Sequence, residues 1–149
     1  MLRVLESVRA AAASPEAGNH DVFKLYWELG SRIHHDKDRD FDIADALAAV
    51  GLDTTHATAA DDESWDAVIR EKMDDGLSLV GNDVGTPIIA TANSSGDRVG
   101  YFGPVITKIP PTEASLKMWD ALMAMMDIDG FFELKKPRTE GPAFGARPD

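Results

Sequence analysis

The chain has 149 residues, enough for one domain of ordinary size and too few for two. Hydrophobic residues make up 44%, which argues against wholesale disorder, and a net charge of −11 disfavours nucleic-acid binding, which rests on Lys and Arg clusters. There is no cysteine, so the chain holds no thiolate of its own. No apolar run approaches the roughly 20 residues of a membrane span, and Met1-Leu2-Arg3-Val4 does not begin a signal-peptide pattern. The expectation is a cytoplasmic protein with no membrane and no nucleic-acid partner, whose acidic surface is a solubility device rather than a site for a basic partner. Lys135-Lys136-Pro137-Arg138 is too short a basic stretch to reverse this.

The first sixty residues read as short helices. Leu2, Leu5, Val8 and Ala12 predict one that ends at Ser14-Pro15 and a Gly18-Asn19 turn. Asp21 is the expected N-cap of the next, in which Phe23, Tyr26, Trp27, Gly30 and Ile33 form an amphipathic stripe. Val22, Leu25 and Leu29 give that helix a second apolar flank. A third helix is expected over Ile43 to Val50 with Gly51 as its stop, then a helical turn near Thr54 to Ala60. Asp61-Asp62-Glu63 opens a longer helix whose buried stripe is expected to be Trp65, Val68, Ile69, Met73, Gly76, Leu77 and Val80.

After Gly81-Asn82 the period changes to that of strands. Pro87 to Ala92 and Arg98 to Val105 flank the turn residues Asn93 to Asp97, which predicts a β-hairpin. Pro110-Pro111-Thr112 starts a last helix with Leu116, Trp119, Met123 and Met126 on one face. Phe131 to Leu134 is expected as an apolar anchor, and the three tryptophans, Trp27, Trp65 and Trp119, as core anchors. Two strands make a marginal sheet, so the sheet reads as incomplete.

Few residues offer chemistry. Asp36, Asp38, Asp40 and Asp42 are spaced like the start of an EF-hand loop, but its sixth and twelfth positions hold Phe41 and Leu47 instead of Gly and Glu. A solvated acidic loop capping the next helix is the better reading. Adjacent His34 and His35 point in different directions on a helix, so they chelate poorly and suit a helix C-terminus instead. His20 and His56 show no partner, and no metal site is expected. Asn93-Ser94-Ser95 fits a glycosylation sequon but reads as turn chemistry.

The order of the remaining motifs is more specific. Gly30-Ser31-Arg32-Ile33-His34, Val84-Gly85-Thr86-Pro87, Tyr101-Phe102-Gly103-Pro104-Val105, Lys108-Ile109-Pro110 and Phe131 to Lys135 resemble the DsbA-like thioredoxin superfamily. Within it they are most similar to the actinobacterial branch of mycothiol-dependent nitroreductases. The resemblance implies an α+β, thioredoxin-like C-terminal half, with a β-hairpin packed with helices, preceded by a helical insertion. It divides the chain into a helical insertion at 1–60 and a thioredoxin-like part at 61–136, and the remainder at 137–149, rich in Pro, Gly and charge, is expected to be a flexible tail.

It also implies a cis Thr86–Pro87 bond, with Gly85, Thr86 and Pro87 placing a peptide or small thiol by strand addition. On the residues alone, a trans proline at a strand start is the favoured reading, and the resemblance reverses that preference. No bound cofactor is expected for this chain, although mycothiol or a similar low-molecular-weight thiol is implied for the family. Members of the family carry a CxxC-type site that this sequence lacks. Two explanations stay open: Met1 is an internal methionine of a longer oxidoreductase, or the chain is a short protein without the redox half. Either way the chain is expected to be inactive alone as an enzyme, and the second explanation implies a non-catalytic module that homodimerises through its open sheet edge.

Overall fold

A computed structural model of the chain describes residues 1–145 and 147. The fold is α+β. Among the described residues it comprises five α-helices, two 3₁₀ segments and one two-stranded antiparallel sheet. The chain forms two compact units, one of residues 1–72 with the C-terminal residues from Phe144, the other Met73–Ala143.

In the first unit, α1 (Leu2–Ala11) buries Val4, Leu5 and Val8. Helix α2 (Pro15–His34) starts earlier than the sequence pattern suggests. Ser14 is its N-cap, accepting a hydrogen bond from Ala17 N at 3.2 Å, with Pro15 in the first turn. The expected Gly18-Asn19 turn is therefore helical, and Asp21 lies inside the helix rather than capping it. Gly18 is retained there because the backbones touch: a Cβ at this position would lie 3.0 Å from Arg9 O and 3.4 Å from Ala12 Cβ. That close approach selects the slim flank of α2. Leu25 and Leu29 are buried and Val22 packs beside them, whereas Phe23, Tyr26 and Trp27 on the expected stripe face solvent.

Lys37, in the left-handed region at φ 61°, turns the chain out of α2. Asp42 then caps α3 (Ile43–Ala49), accepting from Ala44 N at 2.8 Å as the acidic-loop reading anticipates. Asp53 caps the 3₁₀ segment Thr54–Asp61 and Asp62 caps Glu63–Trp65, each accepting a backbone N–H two residues on at 2.9 Å. The Thr55 N–H and then its hydroxyl hold the Asp53 carboxyl below its ordinary range, and the Ser64 hydroxyl and then its N–H do the same for Asp62. Ala46, Leu47 and Ala59 join the α1 and α2 residues in one core. Leu25 and Leu47 are fully buried, each contributing about 1.5–3 kcal/mol by removal from water. Arg3 locks the rim of this core: its guanidinium donates to both oxygens of Asp66, at 2.7 and 2.9 Å, and to Ala60 O at 3.0 Å.

Helix α4 (Asp66–Val80) carries no fully buried residue, and Met73 on its expected buried stripe is largely exposed. Of the stripe, Trp65 packs partly buried against the helical core, at the end of the 3₁₀ segment before α4. Gly76 and Leu79 touch the hairpin of the second unit, near Ile88 and Gly100.

That hairpin pairs β1 (Ile88–Ala92) with β2 (Arg98–Phe102), with Ile88 opposite Phe102 and Ala92 opposite Arg98. Both strands are shorter than the sequence reading, β1 starting after Pro87 and β2 ending before Gly103 and Pro104. Gly96, at φ 85°, closes the turn. On one face Tyr101 donates to Phe131 O at 2.5 Å, and its ring lies 5.7 Å from that of Phe131. Helix α5 (Thr112–Met125) follows, and no described helix or strand of its unit lies closely along it. Leu116 and Trp119 are consequently exposed, and only Met126, just past the helix end, is buried. Of the expected Phe131–Leu134 anchor, Phe131 alone packs, while Phe132 and Leu134 are 87% and 80% exposed. Trp27 and Trp119 are likewise not core anchors. Within the expected tail, Glu140 accepts from Lys108 and Ala143 N donates to Thr107 O at 2.7 Å; Ala146, Pro148 and Asp149 lie outside the described residues.

Candidate functional site

Gly81, at φ 84°, ends α4 by donating to Leu77 O at 2.8 Å. The chain then runs through Gly85, Thr86 and Pro87, all exposed, into β1. The Thr86–Pro87 bond is cis, and so is Gly103–Pro104. Extending the β1–β2 register by one residue sets Pro87 opposite Gly103, whose N–H donates to Pro87 O at 2.8 Å. The two prolines therefore flank the open end of the hairpin. Gly103 is buried at φ 106°, a conformation that L side chains rarely adopt, so glycine is required there.

The sequence reading singled out Gly85, Thr86 and Pro87 but gave Gly103-Pro104 no place beside them. A signal was available: Pro87 and Gly103 are equidistant from the centre of the Asn93–Asp97 turn, so antiparallel pairing has to bring them together. Gly85 lies beside the Phe102 ring, whose Cε2 would be 3.9 Å from a Cβ at this position.

Backbone chemistry is what this loop offers. Among the described residues, no hydrogen bond uses the N–H or C=O of Gly85 or Thr86. Exposed and unpaired next to a strand, such groups suit an extended ligand laid along them. The hairpin's forked ion pair sits at the other end of the strands, where Arg98 donates to both Asp75 oxygens at 2.7 Å. Those bonds hold the Asp75 carboxyl below its ordinary range.

The other candidates do not converge on the loop. His34 is the last residue of α2 and His35 its C-cap, as a helix-end reading requires. His56, for which the sequence suggests no partner, pairs through Nδ1 with Ser7 Oγ at 2.7 Å and joins the 3₁₀ segment to α1. Among the described residues no group of three or more His, Asp or Glu side chains is arranged to hold a metal. An open cavity of about 370 Å³ at the junction of α1 and α2 is lined by Arg9, Ala12, Ala13, Ser14, Pro15 and Asn19, none of them from the loop. No described helix is long and apolar enough to cross a membrane.

Comparison with known protein families gives a match over residues 2–136 to the Rv2466c-like family, described as mycothiol-dependent nitroreductase Rv2466c. The match spans both units, is consistent with a thioredoxin-like assignment, and includes the whole proline-flanked end of the hairpin.

Proposed function

Because the chain belongs to the Rv2466c-like family of mycothiol-dependent nitroreductases, we propose that it forms the ligand-seating part of a DsbA-like thiol oxidoreductase. In this reading Gly85, Thr86 and Pro87 hold an extended peptide or low-molecular-weight thiol by main-chain hydrogen bonds. The observation that carries it is the exposed, unpaired backbone of Gly85 and Thr86 beside the β1 edge. The reading places the chain in the cytoplasm, where low-molecular-weight thiols are kept reduced.

Mycothiol itself fits only part of the chain's residues. Thiol–disulfide exchange requires a protein thiolate as partner, and none of the 149 residues is cysteine. No exchange step is therefore assigned to this chain, and the thiolate of the reaction comes from outside these residues. What the chain's own groups do is bind and orient: the Thr86 N–H donates, the Gly85 and Thr86 carbonyls accept, and Gly85 keeps the approach free of a side chain.

The test is an amide NMR titration of the 149-residue chain with mycothiol. Saturable shifts at Val84 to Ile88 and at Gly103 are expected, without nitro-substrate turnover. Shifts elsewhere, none at millimolar ligand, or robust turnover by this cysteine-free chain overturn the proposal.

A second reading is favoured by a separate observation. Among the described residues each strand of the two-stranded sheet has an unpaired outer edge, and Ile109, Trp119, Phe132 and Leu134 of the same unit are exposed. Open edges and apolar patches invite a partner, which supports a non-catalytic module that homodimerises through this unit. Light scattering at micromolar concentration separates the readings, since a compact monomer removes this one.

A further inference from the structure

The end of α2 carries a cluster of side-chain contacts, and residues beyond the family match supply them. Phe144 stacks face-on against His34, with ring centroids 4.4 Å apart and planes 15° from parallel. The same ring meets His35 edge-on at 6.1 Å and 79°. Adjacent histidines diverge too far to share a metal ion, but an aromatic ring placed between them touches both. Lys37 completes the cradle: its left-handed backbone carries Nζ to 5.8 Å from the Phe144 centroid, and the ammonium also donates to His34 O at 2.6 Å.

Beyond the ring, two further contacts fix the direction of the segment. The Gly145 carbonyl pairs with His35 Nδ1 at 2.8 Å, which sets that nitrogen as the donor. Arg147 bridges two carboxylates, Glu28 Oε2 at 2.8 Å and Asp36 Oδ2 at 2.6 Å. Glu28 is well buried, its side chain 13% exposed, and its other oxygen accepts from Arg32 at 2.8 Å. Arg32 is held in turn against the Phe41 ring. The carboxylate that receives Arg147 is thus positioned by residues of α2 and the following loop, independently of the C-terminal segment.

From this convergence we infer that the C-terminal end of α2 is a peptide-docking site for a short segment with an aromatic residue followed three positions later by arginine, and that Phe144, Gly145 and Arg147 occupy it in cis. An aromatic slot, a directional hydrogen bond and a carboxylate pair recognise three features of one short segment. A tethered occupant competes at high effective concentration, so the site excludes free peptide until its own segment is released.

The test uses the full-length chain. A fluorescent peptide of residues 141–147 is titrated into wild type and into the Phe144→Ala/Arg147→Ala variant, whose substitutions fall on exposed side chains and leave the core intact. The emptied variant is expected to bind at least tenfold more tightly than wild type. Carrying Phe144→Ala in the peptide should abolish binding, and raised salt should weaken it by screening the Arg147 pairs. In wild type, the His34 ring protons should be shifted upfield by the stacked Phe144 ring, and Phe144→Trp should keep that shift while Phe144→Ala loses it. Equal affinity of the two chains, no binding to the emptied variant, or an unshifted His34 ring in wild type overturns the inference.

Discussion

The two units of this chain spend their apolar residues differently. In the helical unit, α1, α2, α3 and the 3₁₀ segments converge on Val4, Leu25, Ala46 and Leu47, all with no measurable exposure. In the hairpin unit Met126 is the one buried hydrophobic side chain among the described residues, while Ile109, Phe132 and Leu134 are at least 80% exposed. The difference follows from geometry. Short helices with close sequence neighbours bury one another, whereas a two-stranded hairpin has two open edges and needs further partners for stability. The helical unit therefore reads as self-sufficient, and the hairpin unit as a surface made for contact.

Core truncation should break this comparison most sharply. Leu25→Ala leaves a cavity in a fully buried site, and a loss of about 2–5 kcal/mol is expected by urea unfolding. Trp119→Ala removes a larger side chain from a half-exposed position, yet the isolated chain should change by about 0.5 kcal/mol or less. If the tryptophan change costs as much as the leucine change, the hairpin unit has a core of its own and the contrast fails.

The next effect sharpens the exception inside the hairpin unit. A Cβ at Gly100 would lie 3.0 Å from Leu79 Cδ1, 3.1 Å from Leu79 Cβ and 3.3 Å from Ile89 O, so Gly100→Ala crowds the contact between α4 and β2. A cost of about 1–3 kcal/mol is expected, read as faster amide exchange in Ile88 to Phe102 with Leu25 and Leu47 still protected. Uniform acceleration across both units would mean that they unfold as one. Smaller again is Ser14→Ala, which removes the N-cap of α2 and should cost about 1 kcal/mol by the same unfolding assay.

How much of this was legible in the sequence depended on whether a pattern has one solution. The hairpin did, because Asn93 to Asp97 is turn chemistry between two strand-like runs, and its register followed. Gly51 and Asp42 likewise mark α3 unambiguously. Helix α2 did not: it offers two stripes of helical period, and the choice between them is made by Gly18 meeting Arg9 and Ala12, a long-range contact that periodicity does not encode. Ser14-Pro15 read as a stop for α1 and was equally a start for α2. At the candidate site, Gly85, Thr86 and Pro87 came from a resemblance, and Gly103 was recoverable only by counting outward from the turn. The Phe144 contacts with His34 and His35 join positions about 110 residues apart, and no local signal announces them.

Acid provides the finest discrimination between the units. Asp66 in the helical unit and Asp75 in the hairpin unit are each held below the ordinary value of 3.8, first by a side-chain hydrogen bond from an arginine, Arg3 or Arg98. A carboxyl lowered on folding stabilises fully above its unfolded value, and the contribution is lost as pH falls toward and through the folded value. Stability should therefore hold from neutrality to about pH 5 and decline below pH 4. The pairs differ in shielding: Arg3 and Asp66 side chains are 26% and 33% exposed, Arg98 and Asp75 are 53% and 58% exposed. Solvent screens the second pair more strongly. Asp66→Asn should flatten the acid limb of denaturant midpoint against pH and lower the plateau near neutrality, while Asp75→Asn should leave both nearly unchanged. Equal flattening by the two variants would show that the hairpin's surface pair supports the fold as much as the one at the rim of the helical core, and would remove the last energetic distinction between the two units.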